Sequence, residues 1–171
     1  MDKFKFEKVC NSILILFIPL FFLLSCQEGL DPTMNKSVES FIKGNVLVIS
    51  GRKSWPLADS ILELRVVGFK KFPPTDIIGE ILSGEAYFTD TLPRFIDTIP
   101  YVLKIDKPPV DLSYLVCAYR YGTIMEWRVA GVYSDDTTYE RTPKKLFVPS
   151  GKTISGVDIK VDFRNLPKQP F

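Results

Sequence analysis

The chain contains no histidine among its 171 residues. That absence removes the commonest general base near neutral pH and the commonest transition-metal ligand. Cysteine is scarce: there are three, and Cys10 and Cys26 both lie in the amino-terminal stretch, leaving Cys117. A thiol-dependent hydrolase would need a base beside Cys117, but the neighbours Val116 and Ala118 predict burial, and buried thiols are inert. A single remaining thiol forms no intramolecular disulfide, so the domain must rely on its apolar core. No basic run exceeds Lys144-Lys145 and the charges are interspersed. The positive stripe that a phosphate backbone requires is therefore missing, and no nucleic-acid partner is expected. Long apolar runs are lacking too. The stretch from Ile13 to Leu24 holds twelve uncharged residues, short of the roughly 20 that a spanning helix needs.

That short run follows Lys3, Lys5 and Lys8 and ends at Leu23-Leu24-Ser25-Cys26, with Gln27 next. A basic start followed by a short apolar segment is the layout of a secretory signal. Leu23 to Cys26 resembles the lipobox of bacterial lipoproteins, in which the cysteine thiol takes a diacylglyceryl group and the chain is cut ahead of it. The resemblance implies a lipoprotein signal peptide over residues 1–25, lipid attachment at Cys26, and a lipid bilayer as partner through the acylated Cys26. Each buried methylene of an acyl chain contributes about 0.8 kcal/mol, so two or three chains give a lasting anchor. Gln27 in place of Asp after the cysteine resembles the pattern of lipoproteins sent to the outer membrane; the leaflet stays open. Without residues 1–25, Lys plus Arg falls from 22 to 19 and Asp plus Glu from 20 to 18, a net charge of about +1.

Residues 26–43 are expected to form the lipidated cysteine and a flexible tether, since Gln27 to Glu39 is polar and carries Gly29, Pro32 and Asn35. A tether of that length reaches about 20 Å. Residues 44–165 are expected to form the folded domain and residues 166–171 a tail. Within the domain, apolar residues recur with period two. Val46 to Ile49 is a short buried run. Leu62, Leu64 and Val66 oppose Glu63 and Arg65, and Tyr101, Leu103 and Ile105 alternate with Val102, Lys104 and Asp106. Tyr114 to Tyr121 is apolar on both faces until Arg120, as in a central strand. Met125, Trp127, Val129, Gly131 and Tyr133 share a predicted face, and Val157, Ile159, Val161 and Phe163 another. A weaker strand is expected around Ala86 to Thr89. Ser50-Gly51, Pro73-Pro74, Pro108-Pro109 and Ser150-Gly151 punctuate the runs. The best helical spacing is Asp76 to Leu82, interrupted by Gly79. The fold class expected is all-β, an antiparallel Greek-key β-sandwich of about seven strands.

The segments Gly44-Asn45-Val46, Pro56-Leu57-Ala58-Asp59, Phe88-Thr89-Asp90-Thr91-Leu92, Pro100-Tyr101-Val102-Leu103 and the Gly151-Lys152 turn before Val157 to Phe163 resemble, in order, a transthyretin-like or carboxypeptidase regulatory-like β-sandwich. Lys70 to Gly84 is longer and richer in Pro and Ile than in such domains, which leaves the third strand's register open. The resemblance implies a non-catalytic module for stability, adhesion or binding. One enzymatic branch, hydroxyisourate hydrolase, depends on histidines and a Tyr-Arg-Gly-Ser terminus. This chain has neither.

Carboxylate pairs remain the available acid–base chemistry. Asp135-Asp136 with Glu140 is the densest acidic cluster and reads as a solvated loop, with a loose calcium loop as the alternative. Trp55, Tyr119, Tyr121, Trp127, Tyr133 and Tyr139 could stack on sugars or partners, yet most fall on inward faces. Trp55, before Pro56, is the aromatic least explained by a core and the candidate ligand-binding residue. Phe69 to Pro74 is a candidate recognition edge. No catalytic residue, metal ligand or cofactor is assigned. The expected role is a non-enzymatic, membrane-anchored binding or assembly module of the cell envelope, with envelope proteins or glycans as partners. The alternatives are a surface carbohydrate-binding lipoprotein and, below it, a carboxylate-dependent hydrolase.

Overall fold

A computed structural model describes residues 38–136 and 138–170. The expected signal peptide, Cys26, residues 26–37 of the expected tether and Phe171 of the expected tail lie outside them. Among the described residues the chain forms ten strands, one α-helix and two short 3-10 turns. The strands are β1 (Ser40–Val48), β2 (Glu63–Phe69), β3 (Ala86–Phe88), β4 (Thr98–Ile105), β5 (Val110–Leu112), β6 (Tyr114–Arg120), β7 (Trp127–Val132), β8 (Leu146–Val148), β9 (Thr153–Ile154) and β10 (Ile159–Val161). The helix α1 is Ile77–Leu82. The all-β class holds. The strand count exceeds seven because several two- and three-residue pairings are too short to show a period.

Two sheets face each other. In one the order is β10-β1-β4, with β9 also against β1; in the other it is β3-β2-β6-β7, while β5 and β8 make a separate pair. Most pairings are antiparallel, but β9 and β10 run parallel to β1. The register follows from alternation. In β4, Ile99, Tyr101, Leu103 and Ile105 point inward while the residues between them face water. They meet Ile42 and Val46 of β1, Ile159 and Val161 of β10, and Leu64, Val66, Leu115 and Cys117 from the opposite sheet in one core. Each such side chain contributes roughly 1.5–3 kcal/mol by leaving water.

Two boundaries differ from the sequence expectation. The strand β1 starts at Ser40, inside the stretch assigned to the tether, because Ile42 continues the alternation of Val46 and Val48 and is fully buried. Ser40 joins it by donating its hydroxyl to the Pro149 carbonyl at 2.7 Å. The tail is also built in. The Gln169 carboxamide accepts from the Val129 N–H at 2.8 Å and donates to the Val129 carbonyl at 3.2 Å, imitating a neighbouring strand on the outer edge of β7, where unpaired groups would otherwise invite another chain.

The shared face proposed for Met125 to Tyr133 is broken by a bulge. Ala118 pairs with Val129 and Cys117 with Gly131, so Ala130 is the extra residue. Trp127 and Val129 therefore lie on the outer face of the sheet, whereas Ala130 enters the main core. An inserted residue reverses the alternation beyond it, which a count of two along the sequence does not see. Met125 lies before the strand and is exposed.

Candidate functional site

The second sheet is apolar on both faces. Its inner face contributes to the main core. Its outer face carries Val67 and Phe69 of β2, Tyr114 and Val116 of β6, and Val129 and Val132 of β7, which form a second buried cluster. A two-layer sandwich leaves an outer face to water, so such a face needs a cover. Helix α1 supplies part of it through Ile77 and Ile81. Six residues are under two turns, too few to roof the sheet. The uncovered remainder is a cavity of about 430 Å³, within the usual range for small-ligand sites.

The walls are held by local hydrogen bonds. At the start of α1 the Asp76 carboxylate accepts from the Gly79 N–H at 2.9 Å, and the Glu80 carboxylate accepts from the Thr75 N–H at 3.0 Å. Gly84, at φ +75, ends the segment in the left-handed region that glycine tolerates. The helix presents Ile77, Ile78, Ile81 and Leu82 to the cavity. The opposite side is formed by the turn before β7. There the Glu126 carboxylate accepts from the Thr123 N–H at 2.6 Å, which holds its carboxyl below the usual range, and the Trp127 indole donates to the Ile124 carbonyl at 2.8 Å. Leu82 and Ile124, 82% and 74% exposed, stand in the lining as large apolar side chains open to water.

One end of the floor is charged. β2 and β6 pair Glu63 with Arg120, Arg65 with Ala118, Val67 with Val116 and Phe69 with Tyr114, so polarity falls steadily over six residue steps, about 20 Å. At the polar end one carboxylate is shared by two guanidinium groups. Glu63 accepts from Arg120 Nη2 at 2.7 Å and Nε at 3.1 Å, and from Arg65 Nε at 3.0 Å. Arg65 Nη1 also donates to the Thr89 carbonyl and Arg120 Nη1 to that of Gly122. Arg120's hydrogen bonds, with those and the charge of Arg65, hold the Glu63 carboxyl below its ordinary range against a smaller upward push from burial. The guanidinium of Arg65 also lies 5.6 Å from the centre of the Phe88 ring. Arg128, the cross-strand neighbour of Tyr119, borders the same cavity. Glu63 is thus the one carboxylate in a lining that holds three arginines.

Of the residues singled out in the sequence, Phe69, Pro74 and Trp127 line the cavity, and the others fall elsewhere. Trp55 is half-buried against the main core, its ring centre 4.6 Å from that of Phe163 and 5.1 Å from that of Phe95, and its indole N–H donates to the Ile96 carbonyl. It does not line the cavity. The acidic cluster is already engaged: hydrogen bonds from the Thr138 side chain and backbone N–H, then from the Thr142 N–H, hold the Asp136 carboxyl below the usual range, Asp135 pairs with Lys144 at 2.9 Å, and Glu140 with Lys168 at 3.5 Å. No group of acidic or thiol side chains suited to a metal occurs among the described residues. Cys117 is fully buried, and burial pushes its thiol far up. From the proposed recognition edge, Phe69 lies in the cavity floor and Pro74 reaches its wall, while Phe72 lies on Tyr114 with ring centres 4.7 Å apart and stays half exposed.

No protein-family model matches the chain, and no curated protein or solved structure matches it significantly. No helix among the described residues is long and apolar enough to cross a membrane.

Proposed function

We propose that this chain is a non-enzymatic binding module of the cell envelope, held at a membrane, in the first instance the outer membrane, by an acylated Cys26, and that it binds through the cavity on the outer face of the β3-β2-β6-β7 sheet. The observation that carries this reading is the apolar outer face itself: a buried cluster half covered by a six-residue helix and open over the rest. Burying that face against a ligand is a favourable use of about 430 Å³ of lined space. The non-enzymatic part is supported by a lining with a single carboxylate that is already bound by two arginines, since general acid–base work on a glycoside needs two separate carboxyl groups. The two facing sheets support a transthyretin-like, Greek-key reading of the module.

Two measurements test it. Labelling with an alkyne fatty acid should mark the chain, and Cys26→Ala should abolish the label and release the chain from the membrane fraction; persistent labelling would remove the anchor from the proposal. Mass spectrometry of small molecules and proteins that co-purify from solubilised envelope should find a species lost when Ala118→Trp fills the cavity floor. Binding to glycans that depends on Trp55 and ignores Ala118→Trp would favour the carbohydrate-binding alternative instead.

A further inference from the structure

We propose that the cavity takes a long-chain amphiphile with one anionic headgroup, a fatty carboxylate in the simplest case, its head at Arg65 and Arg120 and its chain laid along β2 and β6 beneath α1; this rests on the reading of the cavity as the binding site. Three features of the site argue for that occupant. The first is the gradient of the floor. From Glu63 and Arg120 to Phe69 and Tyr114, charged side chains stand at one end only, over about 20 Å. A ligand polar throughout, such as a sugar, would lose its hydration against Val67, Val116, Ile77 and Ile81 without recovering hydrogen bonds.

The second is charge. Arg65 and Arg120 share the single carboxylate of Glu63, so this end keeps a surplus of one positive charge before Arg128 is counted. A guanidinium carries five N–H donors. The bonds to Glu63, Thr89 and Gly122 engage three nitrogens of each arginine, and each Nη has a second N–H. Both arginines are about a quarter exposed, so an incoming oxyanion reaches them without unfolding the sheet. A cation of the same chain length would meet like charge, and a neutral chain would leave the forks desolvated and unmatched. The third is the entrance. Leu82, Ile124 and Phe88 are exposed apolar side chains in the lining, which suits a chain entering tail-first and costs the free protein hydration at the mouth.

The experiment uses the full-length chain in its membrane and three photoactivatable probes of one chain length: a fatty carboxylate, a fatty alcohol and a fatty amine. Cross-links are mapped by mass spectrometry, with protease resistance as the check on folding. The carboxylate should cross-link to the β2, β6 and α1 peptides, at least about tenfold more than the amine. Arg120→Gln, which keeps a donor for Glu63, should reduce carboxylate labelling about tenfold, Glu63→Gln should raise it, and Ala118→Trp should abolish labelling by every probe. Equal labelling by carboxylate and alcohol, unmoved by Arg120→Gln and Glu63→Gln, would overturn the headgroup assignment while leaving the cavity as the binding site. Absence of any cross-link in the lining would overturn the cavity reading itself. A cross-link between two copies through Leu82 and Ile124 that excludes the probes would overturn both in favour of self-association.

Discussion

Replacing Gly44 by alanine should destabilise the domain more than any exposed substitution on β1, and the structure says through which bond. Gly44 sits opposite Tyr101 in the β1–β4 ladder. The Tyr101 hydroxyl donates to the Val157 carbonyl at 2.6 Å, and burial raises the phenol far above its ordinary range. A Cβ on residue 44 would stand 1.9 Å from that same carbonyl oxygen, where ordinary contact begins at 3.4 Å. The Val157 peptide must therefore retreat by about 1.5 Å, and it is anchored by its own N–H to the Lys43 carbonyl. Overpacking of this kind costs roughly 1–3 kcal/mol. Loss of the buried hydroxyl's partner adds roughly 1–3 kcal/mol, so Gly44→Ala should cost about 2–6 kcal/mol, a large part of a typical domain's 5–15. Urea denaturation followed by tryptophan fluorescence measures it. The decisive form is a double-mutant cycle. Tyr101→Phe alone removes the hydroxyl, and if Gly44→Ala acts by displacing its acceptor, Tyr101→Phe should cost almost nothing further in the Gly44→Ala background. Strict additivity, or a Gly44→Ala cost below about 1 kcal/mol, would refute the reasoning.

Gln169→Ala should bare the edge of β7 at Val129, costing about 1–2 kcal/mol for two backbone groups returned to water and raising the rate of hydrogen exchange at Val129; unchanged exchange there would mean the carboxamide is not the cap. Stability should also fall in acid through Glu63. Its folded carboxyl titrates below the ordinary glutamate value of 4.5, so its contribution is fully present above that value and is lost as the pH falls through the lower, folded one. Glu63→Gln should flatten the drop in urea midpoint as the pH falls below 4.5, and an undiminished drop would assign the acid sensitivity to other carboxylates.

Much of the fold could be read from period two because most strands bury one face. β4 and the Val157 to Val161 segment alternate so regularly that their inward residues are those of the core. The reading failed where geometry departs from a count of two, as at the bulge that turns Ala130 inward and leaves Trp127 on the outer face. It failed at β1's start for another reason, since a tether boundary drawn from polarity overlooked Ile42. The cavity was half visible. Tyr114 to Arg120 is apolar on both faces, which in a chain with a single weak helical segment leaves one face without enough cover; that mismatch was the available signal. Glu63 and Arg65 were placed opposite the core correctly, but their meeting with Arg120 depends on a strand 57 positions away, and no local pattern reports it. Trp55 stood out because it precedes a proline in a loop, and the rings that enclose it, Phe95 and Phe163, are distant in sequence.

The parallel pairing of β1 with β9 and β10 bears on how this chain is made. Val46 finds its partner at Ile159, and Asn45 is bonded to Asp158, 113 positions on. The first strand is therefore synthesised long before the strands that complete its sheet, and a growing chain lacks the last pieces of its main core until Val157, Ile159 and Val161 have emerged. Loop closure over so many residues is slow. On the proposed route across a membrane, such a late-closing sheet acts as a timer: the domain stays threadable until Ile159 to Val161 arrive, and the same closing step then joins its first strand to its last.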